Sequence, residues 1–346
     1  MSERVEERVE VMQRWVAEVL GSDAFELRRA SSDASFRSYW RLLHAGGTAI
    51  LMDAPPAQED CGRFADLSRR FRAVGVNTPE VFAEDRLNGF LLLSDFGDQV
   101  YLRVLDAANV DRLYGDALAT LAILQAHGPT QGLPVFDAAF IRRELDLFHD
   151  WFLAAFPDVA DQARTSGLLG SVARVLVENA LEQPRVCMHR DYHSRNLMQL
   201  EHANPGVLDF QDAVVGPVTY DLVSLLRDCY ITWPADQVIE WATGYCARAG
   251  QQGGFDVPDR ARFLRWFDLM GVQRHLKACG IFARLHRRDG KSHYLTDIPR
   301  TLAYILAVAP QYPELAALAR LLEQQVCPRL EQLSVSQTVE TRDAVD

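Results

Sequence analysis

Near Asp98 the 346-residue chain changes its periodicity, and that change constrains its fold more than any other feature. Before it, short apolar runs at 25–30, 36–43, 48–52, 79–83 and 89–93 are bounded by Gly, Pro, Ser or Asp, the pattern of strands separated by turns. Strands in succession, joined by turns as tight as Gly46-Gly47, predict an antiparallel sheet. Apolar spacing of three and four predicts helices over 5–20 and 59–74 beside these strands. Beyond Asp98 the same spacing predicts long helices over 110–127, 140–156, 163–182, 220–229, 237–249, 259–285 and 298–308, interrupted only by strand-like 185–188 and 206–208. A chain of this length exceeds one core of ordinary size. The expected architecture is therefore α+β and bilobal. It has an antiparallel-sheet N-lobe over 1–97, a connector near 93–97, a mostly helical C-lobe over 98–331 and a polar, disordered tail over 332–346.

Between the two short strands of the second part stands His189-Arg190-Asp191-Tyr192-His193-Ser194-Arg195-Asn196, and thirteen residues after Asn196 comes Asp209 in Leu208-Asp209-Phe210-Gln211-Asp212. Taken singly, Asp191 and Asn196 are ordinary turn formers and His189 an ordinary core histidine. Together they match what phosphoryl transfer from a magnesium nucleotide requires. A phosphoryl group in flight spreads charge over its oxygens, so a protein mainly positions the reactants and supplies cations. Asp191 is the candidate base for an acceptor hydroxyl. Asn196 offers an amide oxygen and Asp209 a carboxylate to Mg2+, and the strand-like runs before His189 and Asp209 can hold both segments rigidly.

Composition narrows the partners. The 36 Lys and Arg stand against 47 Asp and Glu, a net charge of −11 that opposes binding to nucleic acid, so any phosphate ligand needs local cations or metal. No apolar run approaches the length of a membrane span, and the Arg- and Glu-rich start lacks the apolar core of a secretory signal, so a cytoplasmic protein without a membrane partner is expected. Six scattered cysteines form no zinc pattern and are expected as core thiols. A monomer is expected.

The strings from Met188 to Met198 and from Leu208 to Ala213 resemble the aminoglycoside phosphotransferase and choline kinase branch of the protein-kinase-like fold, which places a His, here His193, two residues after the catalytic Asp. Those strings, with Gly216 to Leu225 and Gln273-Arg274-His275-Leu276-Lys277, are also similar to bacterial kinases that phosphorylate the anomeric hydroxyl of N-acetylmuramate and N-acetylglucosamine. The resemblance covers about residues 31–330. It implies ATP and Mg2+ as cofactors, C1 phosphorylation of an amino sugar recycled from the cell wall, Asp191 as base, Asn196 and Asp209 as metal ligands, and Asp212 as an outer or second-metal group.

Several positions depart from the kinase pattern. Asp95-Phe96-Gly97 spells the kinase metal triplet but precedes the catalytic loop instead of following it. Leu93, Asp95 and Phe96 read instead as the connector whose backbone meets adenine, with a turn-forming Asp95 as the plainer alternative. The strand at 48–52 carries Met52 or a neighbour where kinases carry a phosphate-holding Lys, and no Lys precedes Lys277. Arg37 or Arg41 is the nearest substitute by topology, although solvated strand arginines are common. The preceding loop, with Ser32, Asp33 and Ser35, lacks flap glycines yet offers small donors to phosphate. Glu59 suits two roles, orienting an arginine or favouring a helix N-terminus.

For the acceptor, Arg142, Glu144, Arg227, Trp233, His275 and Lys277 are candidates beside His193, since a lactyl carboxylate wants Arg or Lys and a sugar face can rest on Trp. Arg142 and Arg143 equally suit a solvated helix face. Two other readings stay open: a kinase of another small alcohol, such as an aminoglycoside or a choline-like amine, and a nucleotide-binding pseudokinase suggested by the missing Lys. Carboxylates should line the site of a cationic acceptor, and the intact Asp191, Asn196 and Asp209 argue against the second.

Overall fold

A computed structural model of the chain describes residues 2–32, 36–251, 255–330 and 332. Asp33 and Ser35 lie outside the described residues, as does the expected tail apart from residue 332. The chain forms two compact units that do not follow one cut along the sequence: Met1–Pro129 with Arg195–Ala213, and Thr130–Ser194 with Val214–Asp346.

In the first unit, β1 (Phe25–Ser32), β2 (Ser38–His44), β3 (Gly47–Asp53), β4 (Val81–Asp85) and β5 (Phe90–Ser94) make one antiparallel sheet in the order β1-β2-β3-β5-β4. Alternate residues of a strand face opposite sides. Ala49, Leu51, Phe90 and Leu92 thus share one face with Leu42, and helix α1 (Ser2–Leu20) covers them with Met12 and Val16, one turn apart. Met52, Leu91 and Leu93 have the opposite parity and are buried as well, so the centre of the sheet is covered on both sides. Helix α2 (Cys61–Ala73) connects β3 to β4, and α3 (Tyr101–Val104) and α4 (Val110–His127) follow the sheet. Residues 195–213 return to this unit as the two-stranded ribbon β7 (Leu197–Met198) and β8 (Gly206–Val207).

The second unit is helical around one small ribbon. Strand β6 (Arg185–Met188) pairs antiparallel with β9 (Val214–Pro217), with Met188 opposite Val214. Helices α5 (Ala138–Leu147), α6 (Pro157–Thr165), α7 (Leu168–Leu181), α8 (Tyr220–Leu226), α9 (Ala235–Gln251), α10 (Arg260–Asp289) and α11 (Ile298–Val308) surround it. Two expected helices are broken. The 140–156 run leaves α-geometry at Phe148, where a π turn takes over, and the 163–182 run divides at Gly167, whose φ of 70° a helix cannot contain. The core gathers Phe148, Phe152, Leu176, Leu269, Leu276 and Ile305. Helix α10 crosses the end of α5 so closely that a Cβ at Gly280 would lie 2.4 Å from the Leu147 carbonyl. The cysteines among the described residues are free, five buried and Cys327 half-buried, as expected. Among those residues no helix is long and apolar enough to cross a membrane.

Candidate active site

Two carboxylates from the segment after β9 hold the loop that carries Asp191. At its start Arg190 adopts the left-handed conformation, with φ 80°, which costs a non-glycine residue energy unless the surroundings enforce it. Asp221, in the first turn of α8, supplies that enforcement by accepting from the backbone N–H groups of His189 (2.7 Å) and Arg190 (2.9 Å). At the far end Asp228 accepts from the backbone N–H (3.0 Å) and hydroxyl (2.5 Å) of Ser194 and, through its other oxygen, from the Tyr230 N–H (2.9 Å). Burial pushes the Asp221 carboxyl up to about 7 against these backbone bonds, and the charge on Asp191 adds to the rise.

Asp191 lies between these two clamps. Burial alone would raise its carboxyl, but Lys277, His193, Arg190 and Arg274 outweigh it and bring the group down to about 2, so Asp191 is ionised. It lines a cavity of about 100 Å³ whose other polar side chains are His193, Tyr230, Arg274, Lys277 and the Cys229 thiol and whose apolar wall includes Ile281 and Phe282. Lys277 enters from α10 and is neutralised: its ammonium is 3.0 Å from the buried Glu144 carboxylate and donates to the Tyr220 hydroxyl at 2.8 Å. Glu144 also accepts from Arg190 (3.0 Å) and Gln273 (3.0 Å). Those cations and hydrogen bonds overcome its burial and hold it below the usual carboxylate range. His193 packs edge-on against Tyr230, with ring centroids 5.4 Å apart.

The metal-ligand candidates belong to the first unit. The Asn196 carbonyl accepts from the Leu208 N–H (2.9 Å), closing the β7–β8 ribbon, and the next residue, Asp209, takes a left-handed φ of 61°. The Asn196 side-chain amide faces one Asp209 oxygen at 3.4 Å, and Gln211 donates to the other at 2.8 Å. Rotation of that terminal amide exchanges its nitrogen for its oxygen. Two hard oxygen-bearing groups, one a carboxylate with 43% of its side chain exposed, fit Mg2+. That ion commonly takes only one or two protein carboxylates and fills its octahedron with water and substrate phosphate. Among the described residues no group of three or more His, Cys, Asp or Glu offers a dedicated metal cage.

Arg37 stands beside this pair. Its guanidinium is 3.9 Å from Asp209 and 3.6 Å from Glu59, and its side chain is only 10% exposed. Burial opposes its charge, but Tyr39, Asp209, Glu59 and Asp212 together outweigh that and hold it above its ordinary value. Glu59 stands outside α2. The helix is capped by Asp60, which accepts from the N–H groups of Gly62 and Arg63, so Glu59 meets an arginine and the capping role belongs to its neighbour. Position 52, where a Lys would be sought, holds a fully buried Met.

Arg41 is committed elsewhere. It forks onto Asp95 (2.7 and 3.1 Å) and Asp98 (2.9 and 2.8 Å) and donates to the Gly97 carbonyl at 3.1 Å, fixing the turn that follows β5 within the first unit. Asp95 also accepts from the Gly97 N–H (2.8 Å), so it both turns the chain and anchors the arginine. Leu93 is a core residue of β5. The Phe96 ring occupies the space a Cβ at Gly206 would need, 2.6 Å away, and that contact packs the turn after β5 on β8.

The sequence profile of the phosphotransferase enzyme family matches residues 26–264. The chain belongs to this family. The phosphotransferase is 48% identical over 297 residues to the N-acetylmuramate/N-acetylglucosamine kinase of Pseudomonas aeruginosa, covering 86% of this chain and 88% of that one. It is 38% identical over 322 residues to the enzyme of the same name from Neisseria meningitidis serogroup B, covering 91% and 95%. Among solved structures, an ethanolamine kinase of Plasmodium vivax matches with a TM-score of 0.62 at 11% identity, covering 88% of this chain and 89% of that one. The ADP-bound aminoglycoside phosphotransferase APH(2'')-Ib matches with 0.55 at 14% identity, covering 85% and 96%. The phosphotransferase therefore has the protein-kinase-like fold its loop strings suggested.

Of the acceptor candidates, His193 and Lys277 line the cavity beside Asp191, and Glu144 lies behind Lys277. The others are placed differently. Arg142 is exposed on α5. Arg227 pairs with Asp268 at 2.6 Å and lies over the Phe267 ring, 4.4 Å from its centroid. Trp233 packs edge-on with Trp241, and His275 bonds the Arg227 carbonyl at 2.8 Å while stacking on Tyr304. None of these four is a lining residue of the cavity. Sequence reasoning missed Arg274, Asp221 and Asp228. Helical spacing carries the signal for the first: 274, 277, 278 and 281 fall on one stripe of α10, whereas 275 turns away from it.

Proposed function

We propose that this phosphotransferase is an ATP- and Mg2+-dependent kinase that phosphorylates the anomeric C1 hydroxyl of N-acetylmuramate or N-acetylglucosamine, returning cell-wall sugars to metabolism. The observation that carries the reading is an ionised Asp191 on the wall of a small cavity that His193, Tyr230, Arg274 and Lys277 also line. Cations around the acceptor disfavour aminoglycosides and choline-like amines and suit a neutral or acidic sugar, and the similar enzymes of Pseudomonas aeruginosa and Neisseria meningitidis carry those two sugars in their names.

In this reading Asp191 accepts the hydrogen bond of the attacking hydroxyl and orients it. A carboxylate near 2 is a weak base, but a loose phosphoryl transfer demands little deprotonation before the new bond forms, so orientation matters more than basicity. Lys277 keeps Asp191 ionised and is itself held by Glu144. Asn196 and Asp209 would hold Mg2+, which supplies charge neutralisation for the phosphates. Arg37, steadied by Glu59, serves as the phosphate cation in place of the missing Lys. The loop of Ser32, Asp33 and Ser35 would offer backbone N–H and serine hydroxyl donors to the phosphates, and the backbone of Leu93, Asp95 and Phe96 would meet adenine.

The test is incubation with Mg-ATP and a panel of N-acetylmuramate, N-acetylglucosamine, kanamycin and choline, followed by NMR assignment of the phosphorylated atom. A phosphate on C1 of either N-acetyl sugar is the expected product. Preference for kanamycin or choline, or a phosphate on another carbon, would refute the assignment. Chelation with EDTA should stop turnover, and added Mg2+ should restore it.

A further inference from the structure

The two cations of the Asp191 cavity differ in their partners. Lys277 is neutralised by Glu144 at 3.0 Å, and Glu144 shares its charge with Arg190 as well. Arg274, on the same stripe of α10, is only 6% exposed, yet among the described residues no carboxylate lies within 4.0 Å of it in an ion pair. Its one hydrogen-bond partner there is the Cys229 thiol, at 3.6 Å. A thiol is a weak acceptor, and a buried guanidinium with five donors ordinarily finds a carboxylate or phosphate. Neighbouring carboxylates at longer range keep it charged, but they leave its donor fork unfilled by any oxygen anion.

We propose that Arg274 is a specificity-determining residue that binds an anionic substituent of the acceptor, namely the lactyl carboxylate of N-acetylmuramate. The inference rests on the sugar-kinase reading above and deepens it: N-acetylglucosamine lacks that carboxylate and places no anion on Arg274. The cavity accepts both sugars through Asp191 and its apolar wall of Ile281 and Phe282, and Arg274 adds binding only to the acidic one. Lys277 is less suited to the task, because drawing it to a ligand would cost the buried Glu144 one of its two paired cations.

The experiment measures kcat/KM of the full chain for N-acetylmuramate, its lactyl methyl ester and N-acetylglucosamine, in the unaltered enzyme and in Arg274→Met and Arg274→Lys. Loss of one charge-assisted contact is worth about 10–100-fold. The unaltered enzyme is expected to disfavour the ester by that factor. Arg274→Met should use acid and ester equally, losing on the acid that factor more than it loses on the ester and on N-acetylglucosamine, whose rates carry any effect of the lost cation on Asp191; circular dichroism reports whether it is folded. Arg274→Lys should show an intermediate ratio, because a point charge replaces the fork. Equal loss on all three acceptors, or an unchanged acid-to-ester ratio in the variants, would overturn the role. If Arg274→Met does not fold, the Lys variant and the acid-to-ester ratio of the unaltered enzyme decide the matter. Failure of the unaltered enzyme to use either sugar would overturn the underlying function, and the inference with it.

Discussion

Lys277 and Glu144 form a 3.0 Å ion pair in the interior of the second unit, with side chains only 9% and 6% exposed. Such a pair adds little over an apolar substitute, but removing one partner strands the other. Glu144→Gln should therefore cost about 3–5 kcal/mol, because Lys277 and Arg190 then face a neutral amide. Urea unfolding of Glu144→Gln against the double variant Glu144→Gln/Lys277→Met checks this. The double variant should recover part of the loss, and a single-variant cost near zero would mean that the ammonium has relaxed into solvent.

Asp191→Asn should lower kcat by about 10²–10⁴-fold, the usual worth of a positioned acid–base group. Nucleotide affinity, read by equilibrium titration, should not change, since in the proposed reading Asp191 addresses the acceptor. Retained turnover would remove Asp191 from the reaction.

His275 supplies a pH test. Burial, with Arg274 and Arg227 adding to it, depresses its imidazole from the ordinary 6.5 to about 3, although the Arg227 carbonyl works the other way. Between those values the unfolded chain binds a proton that the folded chain refuses. Stability is thus fully present above pH 6.5 and falls as pH drops toward 3, by up to about 1.4 kcal/mol per unit. His275→Phe should flatten the pH dependence of the urea midpoint between about 4 and 6.5, without an effect of similar size above pH 7. An unaltered slope would show that another group carries the transition.

How far the sequence reveals this molecule depends on the range of each interaction. Periodicity reports one element at a time, so the five strands, α4 and α11 stand close to where their apolar spacing places them. It cannot see the two-residue ribbon of Leu197 and Met198, which exists only because Val207 and Gly206 lie opposite. Nor does it see that Leu147 ends an α-helix, since the π turn answers to packing against α10. The motif placed Asp191, Asn196 and Asp209 on their loops, because those residues are close in the chain. The clamps Asp221 and Asp228 reach back more than thirty residues, and no local pattern distinguishes them from surface carboxylates.

Gly280 supports the stripe that carries Arg274 and Lys277. A methyl group there would meet the Leu147 carbonyl at 2.4 Å and the Phe148 nitrogen at 2.7 Å, which are backbone atoms that cannot swing aside. Gly280→Ala would ordinarily favour a helix, yet here it should destabilise by about 1–3 kcal/mol through forced separation of α10 from α5. A thermal midpoint at or above that of the unaltered protein would contradict the close approach.

Arg37 and Glu59 give the most informative pair of substitutions. In the proposed reading the missing third-strand Lys calls for another phosphate cation, and Arg37 lies 3.9 Å from the Asp209 carboxylate. Arg37→Ala should raise KM for ATP by about 10–100-fold and leave KM for the sugar within experimental error. Glu59→Gln should shift the ATP term in the same direction but less, since Arg37 keeps its charge and loses only its partner at 3.6 Å. If Glu59 acts solely by orienting Arg37, the double variant should be no worse than Arg37→Ala alone, a non-additivity that a double-mutant cycle in kcat/KM for ATP measures directly. Additive losses would place Glu59 in an independent role, and an unchanged ATP dependence in Arg37→Ala would send the search for the phosphate cation elsewhere in the first unit.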